Sequence, residues 1–372
     1  MRILAALILA LHGFAHLVGF RAAFWPTAIQ PRRSIHLNRK VEGIVWGLLA
    51  LGFVGAATLL VLENSRWPTL LIGATVGSLL MCVVAWPETK VGLLVDVALL
   101  IATVLLVPNR APYLVAAFER ETRAAQRPVR EGEPAVIDQA QITLLPRPVQ
   151  RYLTFMGVAG RPRDWSIRAS FNGRFRRAVG PWSACQAIQY DTRRPVSRVF
   201  MMQLALSGFL PVTVRDIYTS GRGTLQAKAF DWFAVAEGRG HELDVGELVT
   251  YLNDALLLAP SMLLGPEATW TFVDENAFDV TLRDSELSVT GRVFLDAQGA
   301  LVDFSTTDRF FDRADGKRLR TEWRTPVRGW QDVGGRKLPT QARAVWQLPD
   351  GPFAYADFDF DAARIAFNVP PS

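Results

Sequence analysis

The sequence predicts an α+β protein in which a four-helix transmembrane bundle is followed by an antiparallel open β-barrel, a curved sheet with one apolar helix against its concave face. Long apolar runs fill residues 1–107, and strand-like segments fill most of residues 146–372. One strongly helical apolar run interrupts those strands. Half of the 372 residues are hydrophobic, a high share for a soluble protein. We therefore divide the chain into a transmembrane region, 1–107, a linker, 108–145, and a β domain, 146–372.

The transmembrane region holds four apolar segments, each long enough to cross the hydrocarbon core of a bilayer. They are residues 3–20, 43–62, 69–86 and 91–107. Basic residues cluster in the loop between the first two segments, which indicates that this loop is cytoplasmic. With four spans, both ends of the chain then lie on the other side. The sequence thus predicts a multi-pass protein of the cell membrane with an extracytoplasmic C-terminal domain.

Three ionisable residues interrupt the apolar segments: His12, His16 and Asp96. His12 and His16 are four residues apart and therefore share one helix face. At 1.5 Å per residue, His16 and Asp96 each lie about 6–8 Å from the same membrane surface, so a bundle can bring them together. Two interpretations stay open. The trio relays protons or binds a metal or haem, or Asp96 pairs with Arg21 and the histidines make structural hydrogen bonds.

The linker starts with a short apolar stripe and continues with arginines at 120, 123, 127 and 130. This pattern is typical of an amphipathic basic helix that lies along lipid headgroups. A solvated extension of the fourth span fits it equally well. Proline and glycine at 128–134 then predict a flexible connection to the β domain.

The β domain opens with a short helix signal at 145–160 and continues with about ten segments in which apolar and polar residues alternate, as they do at 167–175. Short loops with turn chemistry, such as Asp315-Gly316 and Gly334-Gly335, join several of these segments. Sequential hairpins predict an antiparallel meander. Ten strands predict a sheet that curls into an open or partly closed barrel.

Residues 246–264 form the strongly helical run, and we expect the domain to be organised around it. Apolar residues recur there at helical spacing, and Pro260 ends the first part of the helix. We expect the apolar face to line a ligand groove against the sheet, and Asn253 and Asp254 to point outward. The candidate groove residues are Leu248, Leu252, Leu256, Met262, Leu263 and Trp270.

Other polar candidates are few. His241 has no Ser or Cys near it in the sequence, which favours a solvated loop residue over a catalytic base. Asp216 and Tyr218 share a strand face near Arg222, which favours a structural ion pair or hydrogen bond. The chain has two cysteines and lacks the common cofactor and nucleophile motifs. The sequence therefore names no cofactor or metal, and it leaves open whether the protein is an enzyme.

Three stretches carry a family resemblance: LPRPVQRYLTFMGVAG, GELVTYLNDALLLAPSMLLGPEATW and RTPVRGWQDVGGRKLPTQARAVWQLPDGPFAYADF. They resemble the signature segments of an uncharacterised bacterial family of unknown function, whose members often begin with a membrane region similar to HGFAHLVGF. In strand order and central helix, the domain is also similar to the open-barrel carriers that move lipoproteins and other lipids across the periplasm. That likeness implies an apolar ligand and supplies no catalytic residue.

These observations lead to three hypotheses of function. The first is a membrane-anchored carrier or binding protein for a membrane lipid or an acyl chain. The second is a membrane redox, metal or proton-handling protein built on His12, His16 and Asp96. The third is a structural scaffold of the cell envelope. Scattered arginines and a net charge of only +6 argue against nucleic acid as a partner, and the sequence names no protein partner.

Overall fold

The computed structural model describes residues 2–25, 38–62, 64, 66–106, 116, 118–123, 135–177, 180–206, 210–229, 233–313, 316 and 318–371. The chain divides into two compact units. The helical unit is built mainly from residues 1–110 and the β unit mainly from residues 111–372. The predicted α+β class is confirmed, because a helical region precedes a large antiparallel sheet that contains an internal helix.

Four helices form the helical unit: α1 Arg2–Phe24, α2 Arg39–Val61, α3 Trp67–Val84 and α4 Lys90–Leu106. By length and composition, α1, α2 and α3 can each cross a membrane, which indicates a membrane protein. Helix α4 is equally apolar but has 17 residues. The residues after it, 107–115, lie outside the described part, so the fourth span stays a prediction.

Small residues let the first two helices approach closely. A Cβ atom added to Gly13 of α1 would lie 2.9 Å from the Cβ of Phe53 on α2, and one added to Gly43 would lie 2.6 Å from the ring of Phe24. Such close approach of backbones is typical of membrane helix pairs. The outward faces carry large exposed apolar side chains, including Leu11 and Leu51. These faces suit contact with acyl chains rather than water.

The β unit begins with two short helices, α5 Gln139–Thr143 and α6 Arg147–Phe155. Its strands are β1 Ser166–Phe175, β2 Ser183–Thr192, β3 Ser197–Leu206, β4 Leu210–Thr219, β5 Arg222–Ala229, β6 Phe233–Gly238, β7 Ala268–Asp274, β8 Ala277–Asp284, β9 Leu287–Leu295, β10 Leu301–Thr306, β11 Phe310–Asp312, β12 Arg318–Arg320, β13 Trp323–Arg324, β14 Val327–Val333, β15 Arg336–Leu348 and β16 Gly351–Phe367. Helix α7, His241–Leu258, and a 3-10 turn, Pro260–Leu263, connect β6 to β7.

Fourteen strands form one sheet in the order β6-β5-β4-β3-β2-β1-β16-β15-β13-β10-β9-β8-β7, and β14 pairs with β15. The strands β11 and β12 form a separate hairpin. The predicted meander is present in β1 to β6 and again in β7 to β10. Within the described residues no pairing joins the edge strands β6 and β7, so the sheet is open. The sequence did not reveal that β16 lies between β15 and β1 and joins the two halves.

Helix α7 lies inside the β unit. It contacts β5 near one edge of the sheet and β9 near the other, so the sheet wraps around the helix. Leu248, Leu252 and Leu256 are fully buried. The Tyr152 hydroxyl of α6 donates a buried hydrogen bond to the main-chain carbonyl of Leu256. The predicted central helix is confirmed, although it begins at His241 rather than at residue 246.

The β unit also extends further toward the N-terminus than the predicted boundary at residue 146. Ile137 and Ile142 are buried, and Val136 pairs with Pro162. Within the predicted linker, helical residues 118–123 bury Phe118 completely in a cluster with side chains of β2, β3 and β4. For this stretch the structure shows packing on protein in place of the predicted contact with headgroups. The arginines at 127 and 130 lie outside the described residues.

Candidate functional site

The structure brings His12, His16 and Asp96 together in the interior of the helical unit. The Nε2 atom of His12 lies 2.8 Å from Oδ1 of Asp96. Asp96 is fully buried and His16 is 6% exposed. The direct contact between α1 and α4 is thus made by His12, whereas the depth match predicted from the helix rise concerned His16 and Asp96. The alternative partner for Asp96, Arg21, is not among the contacts described for this carboxylate.

Helix α3 adds two polar side chains that the sequence reasoning missed, Ser78 and Cys82. The Ser78 hydroxyl lies 2.7 Å from Nε2 of His16 and 2.5 Å from Oδ2 of Asp96. The Cys82 sulfur lies 3.7 Å from the same carboxylate oxygen. Both side chains are buried and, four residues apart, they share one face of α3. That spacing of two small polar residues in an apolar helix was the available signal. We call His12, His16, Ser78, Cys82 and Asp96 the intramembrane cluster.

The hydrogen bonds of Ser78 constrain where the protons are. His16 Nδ1 lies 2.8 Å from the main-chain carbonyl oxygen of His12, and a carbonyl only accepts, so Nδ1 carries a hydrogen. If His16 is neutral, its Nε2 accepts the single hydrogen of Ser78, and Asp96 must then be protonated to donate to Ser78. If Asp96 is ionised, Ser78 donates to it, and His16 must be a cation that donates to Ser78. The two states differ by one proton passed between His16 and Asp96.

Aromatic rings surround the imidazoles. The ring of Phe53 lies 4.7 Å from that of His12 and 5.0 Å from that of His16, and the ring of Trp46 lies 5.4 Å from that of His16. Such apolar walls exclude water and make isolated charges costly. A proton exchange inside the intramembrane cluster keeps its total charge unchanged, which limits that cost.

The same donors could hold a metal ion. Nitrogen and oxygen atoms of His12, His16 and Asp96 all lie within 4.8 Å of one another. Imidazole and carboxylate donors suit several transition metals. In the arrangement described, the three side chains are hydrogen-bonded to each other or to Ser78.

The ligand groove predicted along α7 is filled. Leu248, Leu252, Leu256, Met262 and Leu263 are at most 3% exposed. Trp270 is half-buried on the edge strand β7, where its ring lies 5.6 Å from that of Phe278. A cavity lined by Met262 and Leu263 has a volume of about 10 Å³, whereas ligand pockets are typically about 300–1,000 Å³. A close-packed core therefore stands where the sequence predicted a groove.

The predicted outward orientation of Asn253 and Asp254 is wrong, and the structural ion pair predicted for Asp216 is present with Arg198 as the partner. Asn253 and Asp254, expected to point outward, face the interior: Asn253 is 4% exposed, and Asp254 accepts from Arg198 at 2.8 Å. Asp216 pairs with Arg198, and Arg222 pairs with Asp244. The outward orientation of Asp254 was a wrong prediction because its partner, Arg198, comes from a strand that is distant in the sequence, β3.

Two further residues complete the polar predictions. Tyr218 donates to Asp284 at 2.6 Å, which agrees with the predicted structural hydrogen bond. His241 is exposed at the first residue of α7, which agrees with its interpretation as a solvated residue.

The chain is similar to a protein family and to solved structures. No curated protein is significantly similar to the chain. Among solved structures, the chain is similar to a LolA superfamily protein from Nitrosomonas europaea, with 11% identity and a TM-score of 0.31. It is also similar to a DUF1329 family protein from Desulfovibrio piger, with 8% identity and a TM-score of 0.32. Each comparison covers 63% of this chain and 95% of the other.

The family comparison is more specific. Residues 135–358, more than half of the chain, match the model of a family of unknown function, DUF6544. This span contains the three stretches that carried the resemblance in the sequence. Several of their residues pack against one another, as Tyr152 does against the backbone of Leu256. The chain belongs to the DUF6544 family of unknown function.

Proposed function

We propose that the protein handles protons within the membrane, with His16 and Asp96 exchanging one proton through the hydroxyl of Ser78. One observation carries the proposal: Ser78 lies within hydrogen-bond distance of both groups, while the other nitrogen of His16 is fixed as a donor by a main-chain carbonyl. Relay through a hydroxyl needs only short shifts of hydrogen along existing bonds. An imidazole suits the task because its charge changes near neutral pH.

His12 extends this path toward the outside of the cluster. It contacts the second oxygen of Asp96, and its side chain is 9% exposed, against 0% for Asp96. In this proposal Asp96 is the central carrier, Ser78 connects it to His16, and His12 exchanges protons with the surroundings. This relay moves only protons, so it requires neither a bound metal nor a redox partner.

The experiment uses the full chain reconstituted in lipid vesicles and follows infrared difference spectra after a sudden change of pH. We expect the ring vibrations of His16 to respond at least about tenfold faster in the wild-type protein than in Ser78→Ala, because the barrier to transfer rises by about 1.4 kcal/mol or more without the bridging hydroxyl. Thr75→Val is the matched control. Thr75 is also a buried hydroxyl of α3, but it donates to the Leu71 carbonyl of its own helix at 2.8 Å.

The same spectra carry a second readout. A protonated Asp96 gives a carbonyl stretch that disappears in Asp96→Asn. Equal response rates of His16 in the wild type and Ser78→Ala would contradict the relay. So would stoichiometric metal in the purified protein that is lost in His12→Ala, which would indicate a metal centre instead.

A lipid or acyl-chain carrier is the second candidate. An open sheet wrapped around an apolar helix supports it, in a chain whose first helices suit a membrane. Because the core is filled, an acyl chain can enter only if α7 moves out of the sheet. Native mass spectrometry of the gently extracted protein tests this. Retained lipid that occupies the β unit would support a carrier, and a β unit free of lipid and of fluorescent fatty acid would remove it.

A further inference from the structure

A second buried polar cluster lies between α7 and the strands β3 and β4. Arg198 of β3 is at its centre. Its Nε atom lies 2.8 Å from Oδ2 of Asp254 on α7, and its Nη1 atom lies 3.1 Å from Oδ2 of Asp216 on β4 and 3.2 Å from Oε2 of Glu247 on α7. The side chains of Arg198 and Glu247 are 5% and 2% exposed. One guanidinium thus joins the sheet to two positions of the helix, Glu247 and Asp254, which lie two turns apart.

Strand β2 extends the cluster. The amide of Gln189 donates to Asp254 at 2.8 Å and to Oδ2 of Asp191 at 2.7 Å. Asp191 is 1% exposed, and its Oδ1 atom has no hydrogen-bond partner among the described residues. The same holds for Oδ1 of Asp216. We call Asp191, Arg198, Asp216, Glu247 and Asp254 the Arg198 cluster.

The charges of the Arg198 cluster do not balance when all its carboxyl groups are ionised. Four carboxylates then face Arg198 and Arg309, a second cation that acts on Glu247 and Asp254. The guanidinium of Arg309 also stacks on Trp323, with 4.5 Å to the ring centre. Arg193, which is 6% exposed, is a further cation of this region and acts on Tyr251. Carboxyl groups still outnumber these three guanidinium groups, and excess buried negative charge is costly. Binding protons is the direct way to remove it.

Burial and neighbouring charges favour the protonated forms. Burial, followed by the charge of Asp216, raises the pKa of Glu247 well above its ordinary value. Burial, followed by the charge of Asp254, does the same to the pKa of Asp191. Burial also raises the pKa of Asp254, although Arg198 opposes that shift.

Two phenols face the same groups. Tyr251 of α7 is close to Asp191, and Tyr355 of β16 is close to Glu247. Burial raises the pKa of both phenols above the ordinary value of 10.0, so they stay neutral over the range in which the carboxyl groups titrate. Asp191, Glu247 and Asp254 are therefore the groups that respond to pH there.

We propose that the Arg198 cluster is a proton-binding site that controls the docking of α7: the helix is held firmly while Glu247 and its neighbours retain protons, and it loosens as they ionise. The geometry carries this inference, because Glu247 and Asp216 accept from the same nitrogen, Nη1, so that their carboxyl groups adjoin. Ionising both places like charges side by side, on the helix and on the sheet. The proposal is independent of the proton relay in the helical unit.

The direction of the pH effect follows from linkage. A carboxyl group whose pKa is raised by folding stabilises the folded state fully below its unfolded pKa of about 4. It loses that contribution as the pH rises through its folded pKa. Docking of α7 is therefore strongest in mild acid and weakens toward alkaline pH.

Hydrogen exchange followed by mass spectrometry on the full chain in detergent tests this. We expect protection of the amides in His241–Leu258, corrected for the intrinsic effect of pH, to fall at least about tenfold between about pH 5 and about pH 9. Glu247→Gln cannot ionise and should reduce that dependence, while Asp191 and Asp254 keep the remainder. Asp254→Asn serves as a second variant if Glu247→Gln folds poorly.

Asp279→Asn is the matched control, because Asp279 pairs with Arg292 at 2.8 Å on an exposed face of the same sheet. It should keep the wild-type pH dependence. Protection of α7 that does not change with pH in the wild type would overturn the proposal. So would a pH dependence that both Glu247→Gln and Asp254→Asn retain in full.

Discussion

Replacing Leu256 by Ala tests whether α7 is close-packed core or the wall of a groove. Leu256 is fully buried in the middle of the helix. The change removes three carbon atoms, which at about 0.8 kcal/mol for each buried CH2 group is a loss of about 2.4 kcal/mol. The cavity left behind adds to this loss, because surrounding side chains relax only in part. We therefore expect the free energy of unfolding of the β unit to fall by about 3–5 kcal/mol.

Pulse proteolysis of the full chain in increasing urea measures this fall, because cleavage reports the fraction of unfolded β unit while detergent protects the helices. Leu144→Ala is the control. Leu144 is 87% exposed on the same unit, and its truncation should change stability by less than about 0.5 kcal/mol. A loss below about 1 kcal/mol for Leu256→Ala, together with weaker binding of a fluorescent fatty acid, would refute the close-packed core and restore the ligand groove.

Two further predictions concern bonds that fasten other elements to the same core. Tyr152→Phe removes the only hydroxyl described as donating to the Leu256 carbonyl and leaves that buried acceptor unsatisfied. The free energy of unfolding, measured by the same proteolysis assay, should fall by about 1–3 kcal/mol. No change would show that the bond contributes nothing to stability. Asp164→Asn breaks a two-bond pair with Arg336, 2.9 and 3.0 Å long, and should cost about 3–5 kcal/mol. Adding Arg336→Met should recover part of that loss, and a double variant less stable than Asp164→Asn would contradict the charge argument.

The clustering of His12, His16 and Asp96 could be predicted because it depends only on helix rise and on the cost of charge in an apolar span. Both quantities can be read from one segment at a time. Ser78 could not be singled out in the same way, since small polar residues are common in apolar helices and its role appears only when α1 and α4 approach α3. Local periodicity thus identified the ionisable groups but not the group that connects them.

The β unit shows the same division between local and distant information. Alternation along 167–175 predicted β1, and helical spacing predicted α7. The orientation of Asp254 could not be predicted, because a carboxylate is expected outside unless a cation is provided, and Arg198 arrives from a strand more than 50 residues earlier in the chain. The ligand groove was predicted from the apolar face of α7, but the same face serves a filled core equally well.

The position of β16 at the middle of the sheet has a consequence for synthesis of the chain. Ile167 of β1 pairs with Phe367 of β16, about 200 residues later, so this pairing has a high contact order. Before β16 has been synthesised, the half-sheets β1 to β6 and β7 to β15 can form but have four unpaired edges between them rather than two. Exposed edges template aggregation, and partly folded chains are most exposed to it at this stage. The pairing of one strand, β16, removes both surplus edges at once.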